Sequence, residues 1–118
     1  MQLKLNTRTV DEIVILDCTG RIVLGEESGY LRDTVKQLMA EQQRLVLNLS
    51  GVTYIDSGGL GTLVGLYTTA CSTGGSVKLA NLTQRVGDLL QVTKLVTIFD
   101  VYDDEKKAVD SFRKTVAA

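Results

Sequence analysis

The chain opens with a short alternation, Leu3 and Leu5 falling between Gln2, Lys4 and Asn6, the period of two that marks a half-exposed strand. Ile13-Val14-Ile15-Leu16 is continuous and aliphatic, as expected of a strand covered on both faces. Val10-Asp11-Glu12 between them predicts a turn and so a hairpin, with Gly20 closing its second strand. Over residues 26–43 the period changes, and Leu31, Val35, Leu38 and Met39 make one stripe of an amphipathic helix. Residues 45–49 form the next buried strand, closed by Ser50-Gly51. A glycine-rich turn, Asp56-Ser57-Gly58-Gly59, then opens a second helix. Its stripe is Leu60, Leu63, Val64, Tyr67 and Cys71, and Gly74-Gly75 ends it. Val77-Lys78-Leu79 predicts a strand, Val86, Leu89 and Leu90 a short helix, and residues 98–101 the last strand. Asp103-Asp104-Glu105 sets acid in the first turn of a final helix, where the dipole favours it, with Ala108, Val109, Phe112 and Val116 inward.

The order β-β-α-β-α-β-α-β-α predicts an α/β fold. Strands alternating with helices require crossovers, so the sheet is expected to be mixed but mostly parallel, packed with about four helices. Residues 1–118 show no linker, repeat or low-complexity stretch, which predicts a single domain.

Composition narrows the chemistry. The chain has no histidine, which removes Ser-His-Asp and Cys-His catalysis and every metal site built on imidazole. Its 13 basic residues are scattered against a net charge of −1, so no basic face for nucleic acid is expected. Cys18 and Cys71 are far apart and sit among apolar residues, which predicts two buried, reduced thiols. No secretory h-region follows the N-terminus and no aliphatic run approaches a membrane span, so a cytoplasmic protein without membrane insertion is expected.

The informative segment is Tyr54-Ile55-Asp56-Ser57-Gly58-Gly59-Leu60-Gly61. Its glycines allow a tight turn and the close approach of another backbone. Ser57 stands at or beside a helix N-terminus, with Asp56 as an alternative cap. Free N–H groups and the positive end of the dipole meet there, so the position suits an anion, bound or attached to Ser57. Plain helix capping accounts for the same Asp and Ser. On the residues alone both readings stand.

Asp56-Ser57-Gly58-Gly59-Leu60-Gly61 resembles the D-S-[ST]-G-L-G signature of STAS domains, the anti-sigma factor antagonists of bacteria. The strand and helix order is similar too, and the likeness covers nearly the whole chain. The resemblance implies that Ser57 is a phosphoacceptor. It also implies that Asp56, Gly58, Gly59, Leu60, Gly61, Arg21 and Val23 form the phosphosite turn and partner interface. The implied partners are an anti-sigma factor serine kinase and a serine phosphatase. Unphosphorylated, the domain would bind the kinase and so release a sigma factor; phosphorylation of Ser57 would switch it off. Such a protein is a ligand and a substrate, not an enzyme, and needs no cofactor or metal.

Two departures stand out. Gly58 replaces the second hydroxyl of the signature. Gly20-Arg21-Ile22-Val23 replaces a turn that often reads Gly, Glu, hydrophobic, Asp, so a base and an aliphatic stand where acids would face the partner. The second departure favours an alternative, a non-phosphorylated STAS subunit of a stress-signalling scaffold or transport complex. A nucleotide-binding enzyme is a weaker competitor. Gly59-x-Gly61-x-x-x-Gly65 is one residue too long for a dinucleotide fingerprint, and Leu79, Ala80 and Asn81 stand where an acid should bind the ribose.

Overall fold

The computed structural model describes the backbone of residues 1–117 and the side chains of residues 1–112. β1 (Leu3–Val10) and β2 (Ile13–Ile22) pair as an antiparallel hairpin. Its two-residue turn is Asp11-Glu12, both left-handed at φ 51 and 69, which matches the twist of the strands. α1 (Glu26–Glu41), β3 (Arg44–Ile55), α2 (Ser57–Ser72), β4 (Ser76–Ala80), α3 (Gln84–Val92), β5 (Asp100–Tyr102) and α4 (Glu105–Ala117) follow, with a 3-10 turn at Leu95–Thr97 before β5. The strands lie in chain order, β1-β2-β3-β4-β5, and every pairing after the first is parallel. The fold is the mixed, mostly parallel sheet with four helices that the alternation implies.

Because each crossover steps in the same direction with the same hand, α1, α2 and α3 fall on one face of the sheet. The larger core lies there: Leu16, Cys18, Leu45, Leu47, Leu49, Val77 and Leu79 from the strands meet Leu31, Val35, Leu63, Leu66 and Leu90 from the helices. The intervening residues Ile13, Ile15, Val46 and Ala80 point the other way, onto Ala108, Val109 and Phe112 of α4. Continuous aliphatic strands thus divide residue by residue between two cores. Val116, expected on the inner face of α4, lies outside the described side chains.

Several expected boundaries move. Gly20 does not close β2, which runs on to Ile22, and Ser50-Gly51 does not close β3, which continues to Ile55. Gly20 has φ +115, and a Cβ there would collide with the Gln2 carbonyl oxygen, so glycine admits β1 alongside instead of breaking the strand. The pairing of β2 with β3 shifts register at Asp17/Thr19 and again at Gly20/Arg21, which lets both strands continue past these glycines. The last strand begins at Asp100, not at residue 98. Lys94, at φ 62, starts the 3-10 turn that takes up the intervening chain, and Phe99 is buried edge-on against Tyr67 at 5.6 Å between centroids. The inner stripe of α2 is also rotated: Leu60, Leu63, Leu66 and Ala70 are buried, while Cys71 is exposed. Of the two thiols only Cys18 is buried, and burial beside Asp17 pushes its pKa up to about 12.

Candidate functional site

β3 runs out of the sheet at Ile55 and α2 begins two residues later, so Asp56 must turn the chain. It does so as the N-cap of α2. One carboxylate oxygen accepts the Gly59 N–H at 2.7 Å, and both accept from the Leu24 N–H at 3.1 Å. These backbone donors hold the Asp56 carboxyl below its ordinary pKa, Gly59 most strongly. The same carboxylate thereby ties the loop after β2 to the start of α2.

With Asp56 as the cap, Ser57 is free of that task. It is the first residue of α2, it is exposed, and its hydroxyl makes no hydrogen bond to any described residue. The serine and threonine hydroxyls nearby are engaged. Ser28 donates to the Val23 carbonyl at 2.7 Å and is buried, and Thr62 donates to the Gly58 carbonyl at 3.0 Å.

The glycines of the turn have separate reasons. At Gly59 a Cβ would overlap the Ile22 carbonyl oxygen, so the approach of α2 to β2 requires glycine. At Gly58 a Cβ would sit 2.6 Å from the Leu24 Cβ. The hydroxyl-bearing residue of the signature is therefore displaced by a leucine packed against the turn. Gly61 faces open space. Leu60 is only 8% exposed and belongs to the core, reaching the surface as part of a groove wall. Val23 is half-buried and Arg21 is exposed.

That groove, about 690 Å³, runs from Ser57 along α3 and is lined by Tyr54, Leu60, Arg85, Leu89 and Val92 among others. The Arg21 and Arg85 guanidiniums lie 4.8 and 5.2 Å from the centroid of the Tyr54 ring. Leu24 on one side and Val92 on the other are 75% and 80% exposed, so the serine stands among bare apolar side chains. Sequence reasoning did not place Leu24, Arg85 or Val92 at the site. Leu24 lies within the loop after Arg21 and Val23 and could have been included; nothing in the sequence marks Arg85 or Val92. No group of His, Cys, Asp and Glu among the described residues is arranged to hold a metal ion. No helix there is long and apolar enough to cross a membrane.

A family model for the STAS domain matches residues 4–108. The chain belongs to the STAS domain family. It is 30% identical over 91 residues to the anti-sigma F factor antagonist of Paenibacillus polymyxa, covering 72% of this chain and 78% of that one. It is 38% identical over 71 residues to the anti-sigma-B factor antagonist of Bacillus subtilis (strain 168), covering 60% of this chain. That match spans 65% of the length of the Bacillus subtilis relative. The fold is shared with the anti-sigma factor antagonist SpoIIAA of Bacillus. The unphosphorylated form superposes with a TM-score of 0.68 at 18% identity, covering 94% of this chain and 97% of that one. The phosphorylated form gives 0.67 at 17% identity, covering 93% and 98%. STAS domains with the role of anti-sigma factor antagonists are thus this chain's relatives in sequence and in fold.

Proposed function

We propose that this STAS domain is an anti-sigma factor antagonist switched at Ser57. Unphosphorylated, it binds an anti-sigma factor serine kinase through the surface around the start of α2, and the sigma factor held by that kinase is released. The kinase then directs the Ser57 Oγ onto the γ-phosphorus of its own bound ATP. The O–P bond forms as ADP leaves, and the hydroxyl proton passes to a base on the kinase. The phosphate adds about −1.5 to −2 charges, next to the fixed carboxylate of Asp56 and among exposed apolar side chains, where repulsion and desolvation oppose docking. A serine phosphatase returns the hydroxyl by hydrolysis. The domain supplies one oxygen and a surface; it is a cytoplasmic ligand and substrate, with no catalysis, cofactor or metal of its own.

The observation that carries this reading is the division of labour between neighbours: Asp56 caps α2, leaving the Ser57 hydroxyl exposed at the positive end of the helix with no hydrogen bond to any described residue. The test is incubation of the full chain with the cognate kinase and ATP, followed by mass spectrometry and affinity measurement. Phosphate is expected on Ser57 alone. Ser57→Ala should bind the kinase as the parent does and take up no phosphate, and Ser57→Asp should bind more weakly. Phosphate on Thr62 or Ser28 with Ser57→Ala still modified would overturn the assignment. The second reading, a STAS subunit that is never phosphorylated, draws on Arg21 and Val23 standing where acids would face the partner. Ser57 unmodified under all growth conditions would select it.

A further inference from the structure

The region around Tyr54 contains an electrostatic arrangement that the fold itself does not require. Arg21 reaches the Tyr54 ring from the end of β2, and Arg85 reaches the same ring from the first turn of α3. Two cations on one ring repel each other. Arg85 moreover lies at the positive end of a helix, where an acid would be favoured. No carboxylate among the described residues lies within ion-pair distance of either guanidinium. Glu27 acts on Arg21 only at longer range, and its carboxylate accepts the Gln2 N–H at 2.8 Å. Contact with the Tyr54 ring nonetheless restricts both side chains, and a restricted guanidinium presents a planar fork suited to a carboxylate.

We infer that the Arg21–Tyr54–Arg85 stack is the docking point for an acidic side chain of a protein partner, with the adjoining groove taking an apolar neighbour of that acid. This rests on the partner-binding surface proposed above and names the chemistry that fits it. The groove supplies both halves of the match. Arg85 stands at its Tyr54 end, and Leu60, Val86, Leu89 and Val92 line it further along. Its own acids limit what can enter. Asp56 is taken up by backbone N–H groups, and Asp88 lies one turn along α3 from Arg85. A continuous polyanion such as a nucleic acid backbone would meet Asp88, whereas a short acidic-apolar peptide segment would not. A phosphate on Ser57, which lines the same groove, would compete with the partner's acid for Arg85.

The test uses the ¹⁵N-labelled full chain and the peptide N-acetyl-Leu-Asp-Glu-Leu-amide. Saturable shifts are expected at the Arg21 and Arg85 Nε–H and at the Ser57 and Leu89 amides. They should vanish in the R21Q/R85Q double variant and with the neutral peptide N-acetyl-Leu-Asn-Gln-Leu-amide. Both arginines are exposed, and an unchanged melting curve confirms that the variant folds. No shift at millimolar peptide, equal shifts in the variant, or tighter saturation of these resonances by an RNA oligonucleotide or anionic vesicles overturns the inference. A second arm measures affinity for the anti-sigma kinase. About tenfold loss per arginine is expected, with binding that weakens as salt rises. Unchanged affinity in R21Q/R85Q, with Ser57 still phosphorylated, removes the docking point and leaves the switch standing. Failure of the kinase to modify Ser57 removes the switch, and the peptide shifts then decide the docking point alone.

Discussion

On the α4 face of the sheet, Arg8 and Lys78 both donate to side-chain partners. Arg8 holds Asp17 at 2.6 Å and also bonds Glu105, which takes a further bond from Asn48 at 3.2 Å. Lys78, 7% exposed, donates to Ser111 at 2.6 Å with its ammonium 4.2 Å from the centre of the Phe112 ring. At the Ser57 end of the opposite face the reverse holds. Among the described residues no carboxylate lies within ion-pair distance of Arg21 or Arg85 and none bonds the Ser57 hydroxyl, while Leu24 and Val92 are largely exposed. A surface whose bonding capacity is used internally holds the fold together, whereas the Ser57 end leaves polar and apolar groups open to solvent.

Four substitutions test that contrast. The largest effect is expected from Gly59→Ala, because its methyl would overlap the Ile22 carbonyl and push α2 off β2. A loss of about 3 kcal/mol in denaturant unfolding is expected, with the Ser57 turn displaced. A loss below 1 kcal/mol would mean that the two elements are less tightly apposed. Next comes Arg8→Gln on the α4 face, which leaves Asp17 and Glu105 half-exposed without their shared cation. It should cost about 1–2 kcal/mol at neutral pH, the partial exposure of the group keeping the figure low. This penalty depends on pH with a definite sign. Arg8 and Asn48 hold the Glu105 pKa below its ordinary 4.5, so the stabilisation is present above that value and disappears as pH falls through the depressed one. Parent and variant curves of stability against pH should therefore converge on the acid side; a constant gap would argue against the ion network.

A smaller effect is expected from Asp56→Asn, which keeps a cap but weakens the acceptor for Gly59 and Leu24. Faster amide hydrogen exchange at these two residues, with the rest of the sheet unchanged, is the readout. Smallest is Ser57→Ala. Because Asp56 and not Ser57 caps α2, the change should alter stability by less than about 0.5 kcal/mol while abolishing phosphorylation. A larger loss would show that the serine is structural after all.

Element order and the turn around Ser57 were legible in the sequence, since they rest on period and on local turn chemistry. Asp11-Glu12 as a hairpin turn, the Leu31–Val35 stripe and the Asp56-Ser57 helix start all have local causes. What was not legible depends on neighbours distant in sequence. Gly20 and Gly51 read as strand ends, yet each lies inside a strand because a partner backbone passes close by. Cys71 fits the helical period of α2 as well as Ala70 does; only the position of α1 and β4 decides which of the two is covered. The site was half visible for the same reason. Asp56 and Ser57 belong to one local motif, whereas Arg85 reaches Tyr54 from 31 positions along the chain, and no local pattern announces it.

The sequential order of the strands bears on how the molecule is made. Each strand pairs with the one synthesised just before it, so a chain emerging from the ribosome can extend its sheet in the order of translation, without waiting for a distant segment. The Ser57 turn takes its shape as soon as β2, β3 and α2 are available. The α4 face closes last. Until residues 105–112 are out, Ile13, Ile15 and Val46 remain uncovered on an otherwise assembled sheet. A nascent or truncated chain lacking α4 would thus carry a formed Ser57 turn on one side and an uncovered apolar surface on the other, the kind of surface through which incomplete chains associate.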